Sequence, residues 1–202
     1  MTVLILSAAT DPHARAVSKH LDELRVKHLI WSYDKFLKAS QLSFSLSNGS
    51  FHQSLKACDE EAIELNELQS IWFRRPGRVY APAMPEAWVG AMIESEAIAT
   101  IGGALRAARN CLMVNHPGRD TESLFKLWQL ECARRVGLSV PDTLVTNDPA
   151  AAREFYDRLD GRVIYKLISE RTNFCFPTYA MPAGIPTLKM RAADLEHLGQ
   201  VK

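Results

Sequence analysis

The sequence predicts an α/β fold in two parts, and three local patterns carry the prediction. Thr2 to Ser7 is a short apolar run, Asp11-Pro12 opens a helical stretch and His28 to Tyr33 turns apolar again, so the chain begins strand, helix, strand. Asn48-Gly49 lies between two segments that alternate apolar and polar, the sequence form of a two-residue β-hairpin. Asp148-Pro149 then repeats the helix start of Asp11-Pro12 and is followed by an apolar strand candidate at Val163 to Ile168, so the second part mixes helix and strand as well.

Each element has a local reason. Asp11 suits an N-cap and Pro12 the first helical position, after which Ala14, Val17, Leu21 and Leu24 recur at helical spacing. Leu42 to Leu46 and Phe51 to Leu55 form the hairpin arms, because Asn and Gly tolerate the positive φ of a type I′ turn. Asp59-Glu60-Glu61 reads as an acidic surface connection, and Ile71-Trp72-Phe73 as a buried strand ended by Arg74-Arg75-Pro76-Gly77. From Pro85 to Arg109 the chain is rich in Ala without interior proline; Trp88, Met92, Ala99 and Leu105 are assigned to its packed side. Gly102-Gly103 weakens that helix and marks a close helix contact or a break. Cys111 to Val114 is a further strand, and Asn115-His116-Pro117-Gly118 is the expected linker, dividing the chain into residues 1–117 and 118–202.

In the second part, Phe125, Trp128, Cys132 and Val136 define one face of a helix over 121–136, with Gly137 as its C-cap. Thr143 to Thr146 reads as a strand, and Ala152, Phe155 and Leu159 as a helical stripe ending at Gly161. Residues 169–186, with Pro177, Pro182 and Pro186, are expected to form a long loop or flap, followed by a strand over 187–190 and a short helix over 192–198.

Composition narrows the function classes. The 202 residues carry 24 Lys+Arg against 23 Asp+Glu, a net charge of +1, which argues against nucleic-acid binding through bulk charge. With 47% hydrophobic residues, ten Gly and ten Pro the chain is neither disordered nor collagen-like. Cys58, Cys111, Cys132 and Cys175 form no CxxC pair, which fits a reducing compartment, and no apolar run spans a membrane; the chain is read as cytoplasmic. No GxGxxG follows the first strand, no GxxxxGK[ST] occurs, the six histidines make no HxH or HExxH group, and no serine has a GxSxG context. Dinucleotide, P-loop, zinc and serine-nucleophile chemistry therefore have no motif to stand on.

What stands out is cationic residues inside or at the end of apolar segments. Lys126 is flanked by Leu124, Phe125, Leu127 and Trp128, and Lys166 lies within Val163 to Ile168. A lysine in such a place snorkels to water, pairs with a carboxylate, or meets an anion such as nucleotide phosphate. Arg74 and Arg75 end the Ile71-Trp72-Phe73 strand. There, two guanidiniums suit bidentate recognition of carboxylates, including those of an acidic peptide; the plainer alternative is solvated arginines paired with Glu60, Glu61 or Glu64.

The strings Trp72-Phe73-Arg74-Arg75-Pro76, Asn115 to Pro117, Lys126 to Leu130, Gly137 to Asn147 and Val163 to Lys166 occur in order along essentially the whole chain. Together they resemble the microviridin-type ATP-grasp peptide maturases, ligases that close ω-ester or ω-amide rings in ribosomally made precursor peptides. The resemblance implies a pre-ATP-grasp α/β domain over 1–117 and the smaller, nucleotide-covering ATP-grasp subdomain over 118–202. It also implies that Lys126 and Lys166 hold ATP phosphates, that Lys166 lies close to the adenine, that Mg²⁺ accompanies the nucleotide, and that Arg74 and Arg75 stand near the peptide. The reaction implied is phosphorylation of a side-chain carboxylate of the precursor peptide, followed by attack of a hydroxyl or amine of the same peptide on the acyl phosphate. Members of that group continue well past the point corresponding to Lys202, so the expectation is an incomplete chain that lacks the C-terminal catalytic part and does not complete ligation alone. The alternative is a non-catalytic peptide-binding or dimerisation module, and a homodimer is left open.

Overall fold

In the computed structural model, which describes residues 2–58, 60–108, 110–168 and 187–198, the chain divides into two units, Met1–Arg119 and Asp120–Lys202. The first is built on a four-stranded sheet. Strands β1 (Thr2–Ser7), β2 (Lys27–Trp31), β6 (Leu68–Arg75) and β7 (Leu112–Val114) stand in the order β2-β1-β6-β7, every neighbouring pair parallel. Helix α1 (Pro12–Glu23) connects β1 to β2, and α3 (Ala87–Ala107) lies in the connection from β6 to β7. A short helix α2 (Phe36–Ala39) leads into a separate antiparallel sheet of β3 (Ser40–Ser47), β4 (Ser50–Ala57) and β5 (Ile63–Glu64).

Period-2 alternation assigns the two faces of the parallel sheet. Leu4, Leu6, Leu29, Trp31 and Ile71 are buried in the main core together with Ala97, Ile101, Ala104 and Leu105 of α3. Ile5 and Ser7, at the alternate positions, are fully buried on the other face, where Ala14 of α1 is also fully buried and Ser18 Oγ meets His28 Nε2. One face is thus covered by α3 and the other by α1, the arrangement that permits the uninterrupted apolar run of β1.

The local signals at the start are realised closely. Asp11 has extended backbone and its Oδ1 accepts from the amides of His13 (2.9 Å) and Ala14 (3.0 Å), with Pro12 at the first helical position. Asn48 and Gly49 both take positive φ (49° and 76°), and Ser47 pairs with Ser50, so the two-residue turn closes the hairpin. Trp31 ties that hairpin to the parallel sheet by donating its indole N–H to Ser40 Oγ at 2.8 Å.

Several expectations are corrected. The packed side of α3 is Ala97, Ile101, Ala104 and Leu105; Trp88, Met92 and Ala99 are exposed, because a helix rich in alanine carries apolar residues all round and its composition does not single out one stripe. The helix also runs unbroken through Gly102-Gly103, where an added Cβ would meet only the Arg106 guanidinium at Gly102 and nothing at Gly103. In the second unit, 121–136 is two helices, since α4 (Pro117–Ser123) ends before α5 (Lys126–Arg135) begins, and Phe125, Trp128 and Val136 are exposed. Gly137 does end α5, at φ +78°, with the Leu138 amide on Ala133 O and the Gly137 amide on Arg134 O, a Schellman closure. Thr143 to Thr146 joins no strand ladder. After α6 (Pro149–Arg158), β8 is only Ile164–Tyr165, paired antiparallel with β9 (Leu188–Lys189), and of the expected buried run Val163 alone is buried. A 3₁₀ turn, Ala192–His197, follows. Asp59 and the loop expected over 169–186 lie outside the described residues.

The reassigned face of α3 is testable by urea unfolding. Ile101→Ala should cost about 2–5 kcal/mol, the range for a buried aliphatic truncated to alanine. Trp88→Ala, at a position 66% exposed, should change stability by less than about 0.5 kcal/mol.

Candidate functional site

The strand order places a natural crevice at the carboxyl ends of β1 and β6. The connection from β1 leads to one side of the sheet and that from β6 to the other, so these two central strands form the topological switch point, where open α/β sheets take their ligands. Leu6 pairs with Phe73 and Ser7 with Arg75, so the register slips by one residue and Arg74 has no partner across the ladder.

The side chain of Arg74 reaches the start of α1. Its Nη2 donates to His13 Nδ1 at 3.1 Å, which puts the imidazole proton of a neutral His13 on Nε2. Its Nε lies 3.8 Å from Asp11 Oδ2, an ion pair too long for a hydrogen bond, and that buried Nε has no hydrogen-bond partner. Ser7, at the end of β1, is fully buried and its Oγ has no partner either. Arg75 is exposed. The Ala14 amide, most of all, holds the Asp11 carboxyl below its ordinary value of 3.8; burial opposes this, and the His13 amide and the Arg74 charge add to it.

The acid that pairs with Arg74 is Asp11, and not Glu60, Glu61 or Glu64 of the plainer alternative; Glu61 pairs with Lys27 at 3.2 Å. Sequence reading found Asp11 as a cap and Arg74 as a strand-end cation, and missed both their meeting and Ser7. Nothing local signals a contact between residues so far apart in the chain.

In the second unit, Lys126 opens α5 and its Nζ donates to Leu167 O at 2.9 Å, which brings the first turn of that helix to the segment immediately after Lys166. Lys166 follows β8 directly and is exposed, as are its neighbours on both sides, so the premise of a lysine within a buried strand does not hold. The Lys126 ammonium is thus held at the carbonyl of Leu167, the residue after Lys166, and the two lysines belong to neighbouring segments. Among the described residues no group of three His, Cys, Asp or Glu is placed to hold a metal ion.

Residues 2–120 match the MvdD pre-ATP grasp domain. The chain belongs to this family. The match covers the parallel sheet, both of its covering helices and Arg74. Among solved structures, the chain resembles the macrocyclase MdnB from Microcystis aeruginosa MRC, with 27% identity, a TM-score of 0.75, and 82% of this chain and 54% of that one covered. It resembles the macrocyclase MdnC from the same source, bound with the precursor peptide MdnA, at 21% identity and TM-score 0.83, covering 98% and 61%. A Chryseobacterium gregarium RiPP-associated ATP-grasp ligase in complex with ADP and a leader and core peptide gives 19% identity and TM-score 0.76, covering 98% and 58%. The chain thus spans between 54% and 61% of the length of these proteins. No curated protein matches it. No helix among the described residues is long and apolar enough to cross a membrane.

The pairing of Asp11 sets a pH dependence. A carboxyl whose folded pKa lies below its unfolded one contributes stability that is complete above 3.8 and is lost as pH falls through the folded value. Urea unfolding between about pH 6 and pH 2 should show stability falling at the acid end, with a shallower fall in Asp11→Asn. Equal slopes in the two proteins would remove Asp11 from the account.

Proposed function

We propose that this chain forms the peptide-side and nucleotide-covering parts of an ATP-dependent ligase that closes side-chain ester or amide links in a ribosomally made precursor peptide. The observation that carries the reading is the Arg74 crevice at the switch point of a domain that belongs to the pre-ATP-grasp family, in a chain whose fold resembles solved peptide macrocyclases along most of its length. A domain organisation of 1–117 and 118–202, the second part serving as the central ATP-grasp subdomain, is part of the same proposal.

The residues divide by ligand. Lys126 and Lys166 hold the phosphates of ATP, each as a flexible point charge, and Lys166 stands near the adenine. Arg74 and Arg75 face the precursor, whose carboxylates a guanidinium matches in geometry. In the reaction, a carboxylate oxygen of the precursor attacks the γ-phosphorus and ADP leaves. A hydroxyl or amine of the same peptide then attacks the acyl carbon and phosphate leaves, for a net loss of water from the peptide. The lysines neutralise charge that develops on the transferred phosphoryl group. Cytoplasmic location and a homodimer belong to this reading as well.

The test uses the product of the complete reading frame. Incubated with ATP, Mg²⁺ and its precursor, it should yield a peptide lighter by one water per ring, read by mass spectrometry; an unmodified peptide would overturn the ligase reading. Titration calorimetry assigns the sites. Lys166→Met should weaken ATP binding by about 1–2 kcal/mol, the scale of a lost charge-assisted hydrogen bond, and leave precursor affinity nearly unchanged, whereas Arg74→Ala should do the reverse. An unchanged ATP affinity would return Lys166 to a solvated lysine.

A further inference from the structure

One strand edge in the first unit is left open in a way that sheets ordinarily avoid. β3 stands at the edge of the antiparallel sheet, whose order is β3-β4-β5. Its eight residues, Ser-Gln-Leu-Ser-Phe-Ser-Leu-Ser, include no charge and no proline, and their register against β4 runs without a bulge. Charge, proline, bulges and short length are the devices that keep an edge from pairing with another chain. Among the described residues the other edges of the two sheets each have one: β2 carries Lys27, paired with Glu61, while β5 and β7 have two and three residues.

The open edge presents a definite set of backbone groups. Across a two-residue turn Ser47 and Ser50 exchange hydrogen bonds, and every second pair along an antiparallel ladder does the same, so the odd-numbered residues of β3 bond to β4. The Cys58 amide on Ala39 O fits that alternation. The amides and carbonyls of Leu42, Phe44 and Leu46 therefore point away from β4. Phe44 is 59% and Leu46 68% exposed, and the Phe44 ring stands 5.0 Å from that of Phe51 on the same face.

We propose that this edge pairs with β3 of a second copy of the chain, antiparallel about a two-fold axis at Phe44. The sequence names the occupant, because Leu42-Ser43-Phe44-Ser45-Leu46 reads the same in both directions. Antiparallel pairing centred on Phe44 sets Phe44 opposite its own copy, Leu42 opposite Leu46 and Ser43 opposite Ser45. Apolar residues then share one face, serines share the other, and no like charges meet. The two-residue β5 offers little to pair with on the far side of the sheet, so assembly closes at two copies. The pairing gives a surface to the homodimer of the ligase reading but stands on β3 alone. A contact of five paired residues falls below the roughly 1,000 Å² of a stable interface, so the dimer dissociates at on the order of 10–100 μM.

Sedimentation equilibrium of the full chain from about 1 to 300 μM measures the association, and amide exchange locates it. The Leu42, Phe44 and Leu46 amides should exchange slowly in the dimer and rapidly on dilution. Ser43→Lys with Ser45→Lys sets lysine opposite lysine twice across the axis and should weaken the dimer about tenfold. Ser43→Lys with Ser45→Glu sets each lysine opposite a glutamate and should bring the affinity back to within about threefold of the parent. Both serines are exposed, so both double variants should melt close to the parent. A chain that stays monomeric throughout the range overturns the proposal. So does a dimer whose Leu42, Phe44 and Leu46 amides stay unprotected, or a lysine-glutamate variant that associates no more tightly than the lysine-lysine one. Pairing through β3 by a protein that closes no ring would leave the interface standing and remove the ligase reading; ring closure by a protein that stays monomeric would do the opposite.

Discussion

The parallel pairing of β1 with β6 at the centre of the sheet is the constraint on which the rest of the first unit depends. It brings residues 2–7 against 68–75, fixes which face of each strand meets α3 and which meets α1, and, by slipping one register step at Leu6/Ser7, leaves Arg74 out of the strand ladder beside the amino end of α1. Long-range parallel pairing is entropically costly to form, and the buried run Leu4, Ile5, Leu6 and Ile71 supplies the apolar surface that offsets it. The same geometry that makes the core makes the crevice. Displacing Arg74 by one position would place it back in the ladder and remove the cation from the crevice.

Charge is local in this protein. A net charge of +1 gives little long-range field, so selectivity for anions has to come from contacts within a few ångströms. Arginine at the switch point and lysine at the end of β8 suit different anions for that reason: the planar fork of the first fits a carboxylate, the flexible ammonium of the second a phosphate oxygen. The second unit differs physically from the first as well. Among its described residues Val163 is the one buried apolar side chain, while Phe125, Leu127, Trp128, Val136, Ile164 and Ile168 are exposed. Its described elements carry short-range devices such as the Schellman closure at Gly137, the Asp148 cap and the Glu131 pairs with Arg134 and Arg135, together with the longer-range β8–β9 pairing and the Lys126–Leu167 bond.

Much of the fold was legible where a single residue type has one physical use. Asp-Pro marks a helix start because the carboxylate caps and the ring fits the first turn; Asn-Gly marks a hairpin because both residues accept positive φ. The α/β class, the β1-α1-β2 opening and the hairpin come from such signals, whereas the family resemblance rests on five strings taken in order. What failed were readings that needed tertiary information. The packed stripe of α3 is not readable because alanine sets no amphipathic face, the exposure of Ile164 to Ile168 is not readable because an apolar run states preference and not occupancy, and the break at Leu124-Phe125 has no glycine or proline to announce it. In the site, the cations were legible by type and position. Their partners were not, since Asp11 and Ser7 meet the Arg74 region only through the parallel register.

The division of ligands between the two units is the central claim, and hydrogen exchange tests it most directly. With the product of the complete reading frame, addition of precursor peptide should slow amide exchange over residues 7–14 and 73–78, and a non-hydrolysable ATP analogue should slow it over 126–130 and 164–168. An ATP analogue that protects 7–14 while the precursor leaves both strand ends unchanged would contradict the account.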